Sequence, residues 1–176
     1  SGEFIAGSGK SFSSIGYLTI STGIGGGFIL KGIPLTSKKG LANHAGFTTS
    51  RIATNLCGSG RKKTVESIAS GRAMAKLAEE KGYTDYDAKI IYEIYLSGES
   101  WAEEIVMLSA EAIAELCANI QSILDPEIII LGGSIGLADG YLTLVEKFLE
   151  NEPVLWRSKL RHSLLGVNAS KIGVLA

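Results

Sequence analysis

Two glycine-rich clusters carry the strongest chemical signal in this chain. Ser21-Thr22-Gly23-Ile24-Gly25-Gly26-Gly27 stands between two apolar, strand-like runs. In that strand-turn-strand setting, backbone N–H groups converge on an oxyanion without a helix N-terminus. Phosphate is the obvious guest, and glycine content alone leaves a plain hairpin turn as an equal alternative. Because the cluster opens no helix, the dinucleotide fingerprint and the Walker loop are both disfavoured. Gly132-Gly133-Ser134 follows the apolar run 128–131, the pattern of a buried parallel strand opening onto a ligand-binding turn. Any strand-to-helix turn uses Gly-Gly too, so the spacing from the first cluster, with a long helix between, is what strengthens it. Gly7-Ser8-Gly9-Lys10-Ser11 ends like a P-loop, but Phe4 occupies the first glycine position and no apolar strand precedes it.

Composition narrows the field. A chain of 176 residues with 45% hydrophobic and 20% charged content has enough apolar material for one buried core. The net charge of -1 gives no electrostatic footprint for nucleic acid, and Arg61-Lys62-Lys63 is short enough to be a solvated turn. Cys57 and Cys117 are the two cysteines. Nothing in the sequence pairs them, which fits a reduced cytoplasmic protein better than a disulfide scaffold. No apolar run reaches the roughly 20 residues of a membrane helix, so the expectation is a soluble chain with neither nucleic-acid nor membrane partners.

The elements that must position the glycine clusters follow from hydrophobic periodicity. Residues 1–14 read as a helix remnant or linker. Strand-like runs at 17–21 and 28–30 predict a hairpin around a turn at 22–27. Val65, Ile68, Ala69, Met74 and Leu77 predict one helix from about Thr64 to Gly82. Asp87 is a candidate N-cap for a helix through Tyr95, with Ile90, Ile91, Ile94 and Tyr95 facing the core. The spacing of Ile105, Leu108, Ala112, Leu116 and Ile120 predicts a long helix over 101–124, stopped by Asp125-Pro126. A further helix is predicted over 141–149, then strand-like and loop structure from Val154, with a helix beginning near Ser170. Hairpin, helices and buried strand together predict a single α/β domain.

The segment from Gly40 to Gly71 carries a family resemblance. It resembles the ROK family of sugar kinases and repressors, whose pattern runs G-H, then C-x-C-G-x-x-G-C-x-E. In that family the His and three Cys hold a structural zinc and the Glu touches the sugar. Here the four ligand positions read Phe47, Cys57, Ser59 and Thr64, while the Glu position is Glu66. Zinc needs four ligands of Cys or His type, so zinc is not expected and Cys57 is expected to be a free thiol. A Ser59–Thr64 hydrogen bond, with Phe47 filling the vacated space, is the expected replacement. Gly40-Leu41-Ala42-Asn43-His44-Ala45-Gly46, and the run 133–146, are similar to the N-acetylmannosamine kinase branch of the family.

That resemblance implies an actin-like ATPase, ribonuclease-H-like lobe with a mixed sheet and flanking helices, occupying residues 15–176. It implies that Thr22, Gly23, Gly25 and Gly26 contact ATP phosphates and that Gly132, Gly133 and Ser134 approach the nucleoside. His44 and Glu66 are the implied sugar contacts, since an imidazole and a carboxylate read hydroxyls directionally. ATP and Mg²⁺ are the implied cofactors, and homodimer formation is one arrangement it allows for the long helix. In the family, a first lobe supplies a D-x-G-G-T motif and an Asn-Asp pair whose Asp is the general base. Neither occurs in these 176 residues. The expectation is therefore the C-terminal lobe of a kinase forming the 6-phosphate of N-acetylmannosamine in sialic acid catabolism, silent by itself because phosphoryl transfer needs both lobes. A ROK repressor's sugar-sensing lobe and a degenerate, non-catalytic ROK protein are the alternatives.

Overall fold

The structure is a computed structural model that describes residues 2–166. Its five-stranded mixed sheet has the order β3-β2-β1-β4-β5. β1 (Ile15–Ile20) and β2 (Ile24–Leu30) form an antiparallel hairpin, extended by the short edge strand β3 (Ile33–Pro34). Lys31 and Gly32 both have positive φ, 52° and 79°, as a two-residue turn matched to strand twist requires. β4 (Ile128–Gly132) and β5 (Leu160–His162) then add in parallel on the other side of β1.

Alternation along the strands sorts the sheet's two faces. Leu18, Ile20, Ile24, Phe28, Ile129 and Leu131 point into the main core under the helices. Ile15, Ile29, Ile128 and Ile130 face the other way, where Phe4 and Phe12 pack against them. Phe4 belongs to α1 (Gly2–Ala6), a short helix inside the stretch read from sequence as helix remnant or linker. Its neighbour Glu3 is only 3% exposed. Glu3 Oε1 accepts from the Ser163 hydroxyl at 2.5 Å and the Leu165 amide at 2.7 Å, and Oε2 from the Ser8 and Leu164 amides at 2.8 and 3.3 Å. The carboxylate thus fastens α1 to the turn after β5.

The predicted helix over 64–82 is broken in two, α2 (Glu66–Ala69) and α3 (Gly71–Glu80). Ser70 causes the break: its backbone is extended (ψ 160°) and its side chain caps α3 by accepting from the Ala73 amide at 3.2 Å. Asp87 caps α4 (Ala88–Leu96) as expected, although Ile90 faces solvent and the buried pair is Ile91 and Tyr92. The long helix α5 (Ser100–Leu124) is buried along Ile105, Val106, Ile113, Leu116 and Ile120. These residues belong to the main core, with α2, α3 and α4 packed around the helix. α6 (Gly133–Gly136) is a single turn that the sequence reading did not resolve, and α7 (Tyr141–Leu149) lies against α5. A buried relay joins these layers: the Tyr141 hydroxyl meets Ser109 Oγ at 2.8 Å, which donates to the Ala69 carbonyl at 3.0 Å. Residues 154–156 form a 3-10 turn, and the helix start expected near Ser170 lies outside the described residues.

Candidate functional site

The turn between β1 and β2 is only three residues long, Ser21 to Gly23, closed by Ser21 N–H donating to the Gly23 carbonyl at 3.0 Å. Gly25, Gly26 and Gly27, expected in the turn, lie inside β2 instead. Their smallness serves packing there: a Cβ on Gly26 would stand 2.8 Å from the Asn43 carbonyl oxygen, and one on Gly25 3.0 Å from Thr19 Cγ2. Gly26 thus lets the 43–45 loop lie directly on the strand, while Gly25 leaves room for the Thr19 side chain of β1.

Three separate segments grip this turn. The break at Ser70 aims the first amides of α3 at it, so that Gly71 N–H donates to the Ser21 carbonyl at 2.7 Å and Arg72 N–H to the Thr22 carbonyl at 3.3 Å. Glu66, the first residue of α2, accepts the Ile24 amide at 3.0 Å. From the third side, the hydroxyls of Ser21 and Ser134 lie 3.0 Å apart. Hence the two glycine clusters, 113 residues apart at these serines, are brought into direct contact, together with Glu66.

Behind the second cluster, Gly133 has φ 85° and its α-carbon sits against the end of β1. Tyr17, Thr19, Ser21, Gly133, Ser134 and Leu137 line one end of a cavity of about 690 Å³, which continues across the sheet toward Ile29 and Phe4. That volume lies within the roughly 300–1,000 Å³ of small-molecule and cofactor sites.

His44 is placed elsewhere. Its Nε2 lies 3.2 Å from the Gly40 carbonyl, and its ring stacks on Phe47 at 5.5 Å with an 11° tilt. The pairing follows from the 3-10 turn Ala45–Phe47, in which positions i and i+3 eclipse. His44 borders a groove of about 260 Å³ beside Phe28, Leu116 and Ile120, whereas Glu66 borders a recess of about 90 Å³ with Cys57, Arg72 and Lys76. The two expected sugar contacts therefore border different cavities. The Glu66 recess is well below the roughly 300 Å³ of a complete ligand site.

The loop from Cys57 to Thr64 keeps a knuckle shape on other bonds. Cys57 N–H donates to the Arg61 carbonyl at 3.0 Å and Gly60 N–H to the Cys57 carbonyl at 3.0 Å. The Ser59 hydroxyl lies 2.8 Å from Cys57 Sγ, so Ser59 addresses the sulfur rather than Thr64, contrary to the expected pairing. Thr64 is fully buried and exchanges bonds with Ser67: its Oγ1 accepts the Ser67 amide at 3.2 Å and its own amide donates to Ser67 Oγ at 3.1 Å. Phe47 is engaged with His44 rather than filling this loop. Burial pushes the Cys57 thiol up, but hydrogen bonds from the Ser59 and Thr64 hydroxyls and the Ser59 and Arg61 backbone outweigh it, so its pKa is lowered. The donor set at the four zinc positions, one thiol with two hydroxyls and a phenyl ring, does not fit zinc.

One residue of the loop is strained. The pattern's second glycine falls on Lys63, which is held at φ 55° while its carbonyl and amide bond Ser50 and Asn55 at 2.9 Å each. Lys63→Gly keeps both bonds and removes the Cβ conflict, a gain offset in part by greater unfolded-chain entropy. The expected net is a stabilisation of about 0.5–1 kcal/mol, read from the urea midpoint; an unchanged or lower midpoint contradicts it.

An antiparallel hairpin flanked by parallel strands, with a gripped turn after β1 and a glycine turn after β4, defines an actin-like, ribonuclease-H-like lobe. The ROK family profile matches residues 1–176, and the chain belongs to that family. N-acetylmannosamine kinase from Haemophilus influenzae (strain PittEE) is 38% identical over 165 residues, 93% of this chain and 54% of the relative. Among solved structures, the ROK hexokinase from Thermus thermophilus superposes with a TM-score of 0.91 at 29% identity, covering 97% of this chain and 60% of that one. A ROK family glucokinase from Streptomyces griseus, solved with glucose and AMPPNP, has the same fold (TM-score 0.81, 23% identity, 98% and 62% covered). The chain thus spans about half the length of the curated relatives it matches. Among the described residues no helix is long and apolar enough to cross a membrane.

Proposed function

We propose that the protein to which this lobe belongs is a cytoplasmic sugar kinase that phosphorylates N-acetylmannosamine at the 6-hydroxyl with ATP, in sialic acid catabolism. The observation that carries this reading is the convergence of Glu66 and Ser134 on the turn from Ser21 to Gly23 through hydrogen bonds of 3.0 Å each. Kinship with N-acetylmannosamine kinase at 38% identity supports the choice of sugar, and the AMPPNP complex of the Streptomyces griseus glucokinase supports ATP as donor.

In this reading Thr22 and Gly23 face the phosphates, Gly132, Gly133 and Ser134 hold the nucleoside, and Glu66 accepts sugar hydroxyls. Gly25 and Gly26 act indirectly, Gly26 by letting the 43–45 loop approach and Gly25 by making room for Thr19 beside the turn. His44 reaches the sugar from a second wall. Mg²⁺ supplies charge neutralisation on the phosphates when bound. The general base belongs to the other lobe, since phosphoryl transfer depends on positioning across a closed cleft. Pairing of two such proteins into a homodimer belongs to the same proposal.

The test is ADP release by the full-length protein with ATP, Mg²⁺ and N-acetylmannosamine, beside the isolated 176 residues. Sugar-dependent turnover by the former and none above contaminant level by the latter is expected. ATP hydrolysis indifferent to sugar, or no turnover by the full-length protein, would sink the kinase reading.

A further inference from the structure

We infer that Glu66 is also a positioning residue for the nucleotide, a strut through which an occupied sugar site tightens the phosphate turn. The inference rests on the kinase reading above. Its basis is the half-buried bond from the Ile24 amide to Glu66 Oε2 at 3.0 Å. Ile24 is the first residue of β2, immediately after the turn, and a Cβ on Gly23 would lie 3.0 Å from the same carboxylate oxygen. Only glycine at position 23 leaves that approach unhindered.

The other holds on the turn act on different groups. The α3 amides take the carbonyls of Ser21 and Thr22, and Ser134 takes the Ser21 hydroxyl. Among the described residues Glu66 alone contributes a side chain to the backbone leaving the turn. Its second oxygen, Oε1, has no hydrogen-bond partner among the described residues and is not among the buried unsatisfied atoms, so it remains for a ligand hydroxyl. A carboxylate accepts on both oxygens at once. A sugar hydroxyl donating to Oε1 fixes the carboxylate plane, and the fixed plane holds Ile24 N–H and with it the turn.

Linkage makes the effect reciprocal: phosphates seated on the turn pre-orient Glu66 for the sugar by the same factor. A coupling of roughly 5- to 10-fold is the size expected for one charge-assisted hydrogen bond whose freedom is shared between two sites. Glu66→Gln keeps a carbonyl acceptor for Ile24 but loses the charge, whereas Glu66→Ala removes the strut.

The experiment measures Kd for AMPPNP by calorimetry in the full-length protein, with and without saturating N-acetylmannosamine, for wild type and both variants. Amide exchange at Ile24 is followed in parallel. Wild type should bind AMPPNP roughly 5- to 10-fold tighter with sugar. In Glu66→Ala the ratio should fall to about 1, sugar-free AMPPNP affinity should drop several-fold, and Ile24 should exchange freely. Glu66→Gln should keep Ile24 protected and sugar-free AMPPNP affinity close to wild type while sugar affinity falls; if Glu66→Ala does not fold, this variant decides. A wild-type coupling factor near 1, an unchanged factor in Glu66→Ala, or Ile24 equally exposed in Glu66→Gln and Glu66→Ala overturns the inference while leaving sugar phosphorylation intact. A wild-type protein that binds no sugar overturns both the inference and the kinase reading.

Discussion

Gly133→Ala is expected to destabilise the fold by about 4 kcal/mol and to abolish the contact between the two glycine clusters. Two effects add. At φ 85° an L-residue pays about 1–2 kcal/mol for the left-handed backbone alone. The larger share is steric, because the added Cβ would stand 2.7 Å from the Ile20 carbonyl carbon and closer still to its oxygen. Those are backbone atoms at the end of β1, where Ile20 pairs with Ile24 of β2, and they cannot swing aside as a side chain can. Relief requires the start of α6 to move off the sheet, taking Ser134 away from Ser21. Gly140 provides the control: it has φ 80° but open space around its α-carbon, so Gly140→Ala should cost only the backbone part, about 1 kcal/mol. Urea unfolding of the three proteins measures the contrast. Equal losses at the two positions would show that the steric argument is wrong.

Removing the Glu3 carboxylate should cost nearly as much, although the residue makes no hydrogen bond to the turn from Ser21 to Gly23. Glu3→Gln places an amide N–H₂ among donors that now face oxygens, and about 3 kcal/mol is expected at pH 7 from the loss of several charge-assisted bonds in a buried setting. For a domain of this size that corresponds to a melting temperature lower by about 10 °C. Burial pushes the Glu3 carboxyl up, yet the bonds from Ser163, Leu165, Ser8 and Leu164 outweigh it, so its pKa is lowered. A carboxylate depressed on folding contributes stability that is fully present above its unfolded value, about 4.3, and is lost as pH falls through the folded value. The gap between wild type and Glu3→Gln should therefore be constant from pH 7 to about 5 and shrink below about 4.3. A gap that persists undiminished to pH 2.5 would assign the effect to packing instead.

Much of this architecture was legible because periodicity and caps report local physics. The long helix α5, the Asp87 cap, the buried strand β4 and helix α7 each follow from the spacing of apolar residues or a terminal side chain. What escaped was decided by distant partners. Ser70 looks like any polar residue on a helix, and its role as the α3 cap has meaning only once the carbonyls of Ser21 and Thr22 stand ready for the freed amides. Gly25 and Gly26 read as turn residues until Thr19 and the 43–45 loop arrive to use their missing side chains. Glu3 sits in a glycine- and serine-rich stretch with no periodic signal, and its four bonds go mostly to residues 160 or more positions away. Resemblance singles out Glu66 and the glycine clusters, but their junction through Ile24, Ser21 and Ser134 has no sequence signal. His44 stands out in sequence as a histidine within the family motif, while its stacking on Phe47 depends on a 3-10 turn that no periodic signal announces.

The central place of β1 has a consequence for synthesis on the ribosome. Its apolar run IGYLTI finds β2 at once, but its other edge waits for β4, more than a hundred residues later in the chain. At ordinary elongation rates that is roughly 5 to 20 s with an unsatisfied, hydrophobic strand edge exposed on the nascent hairpin. The three consecutive glycines of β2 are poor material for a steric zipper. The run that includes Gly26, which lets a loop lie close in the finished lobe, therefore also makes the waiting hairpin a weaker template for pairing with a neighbouring chain.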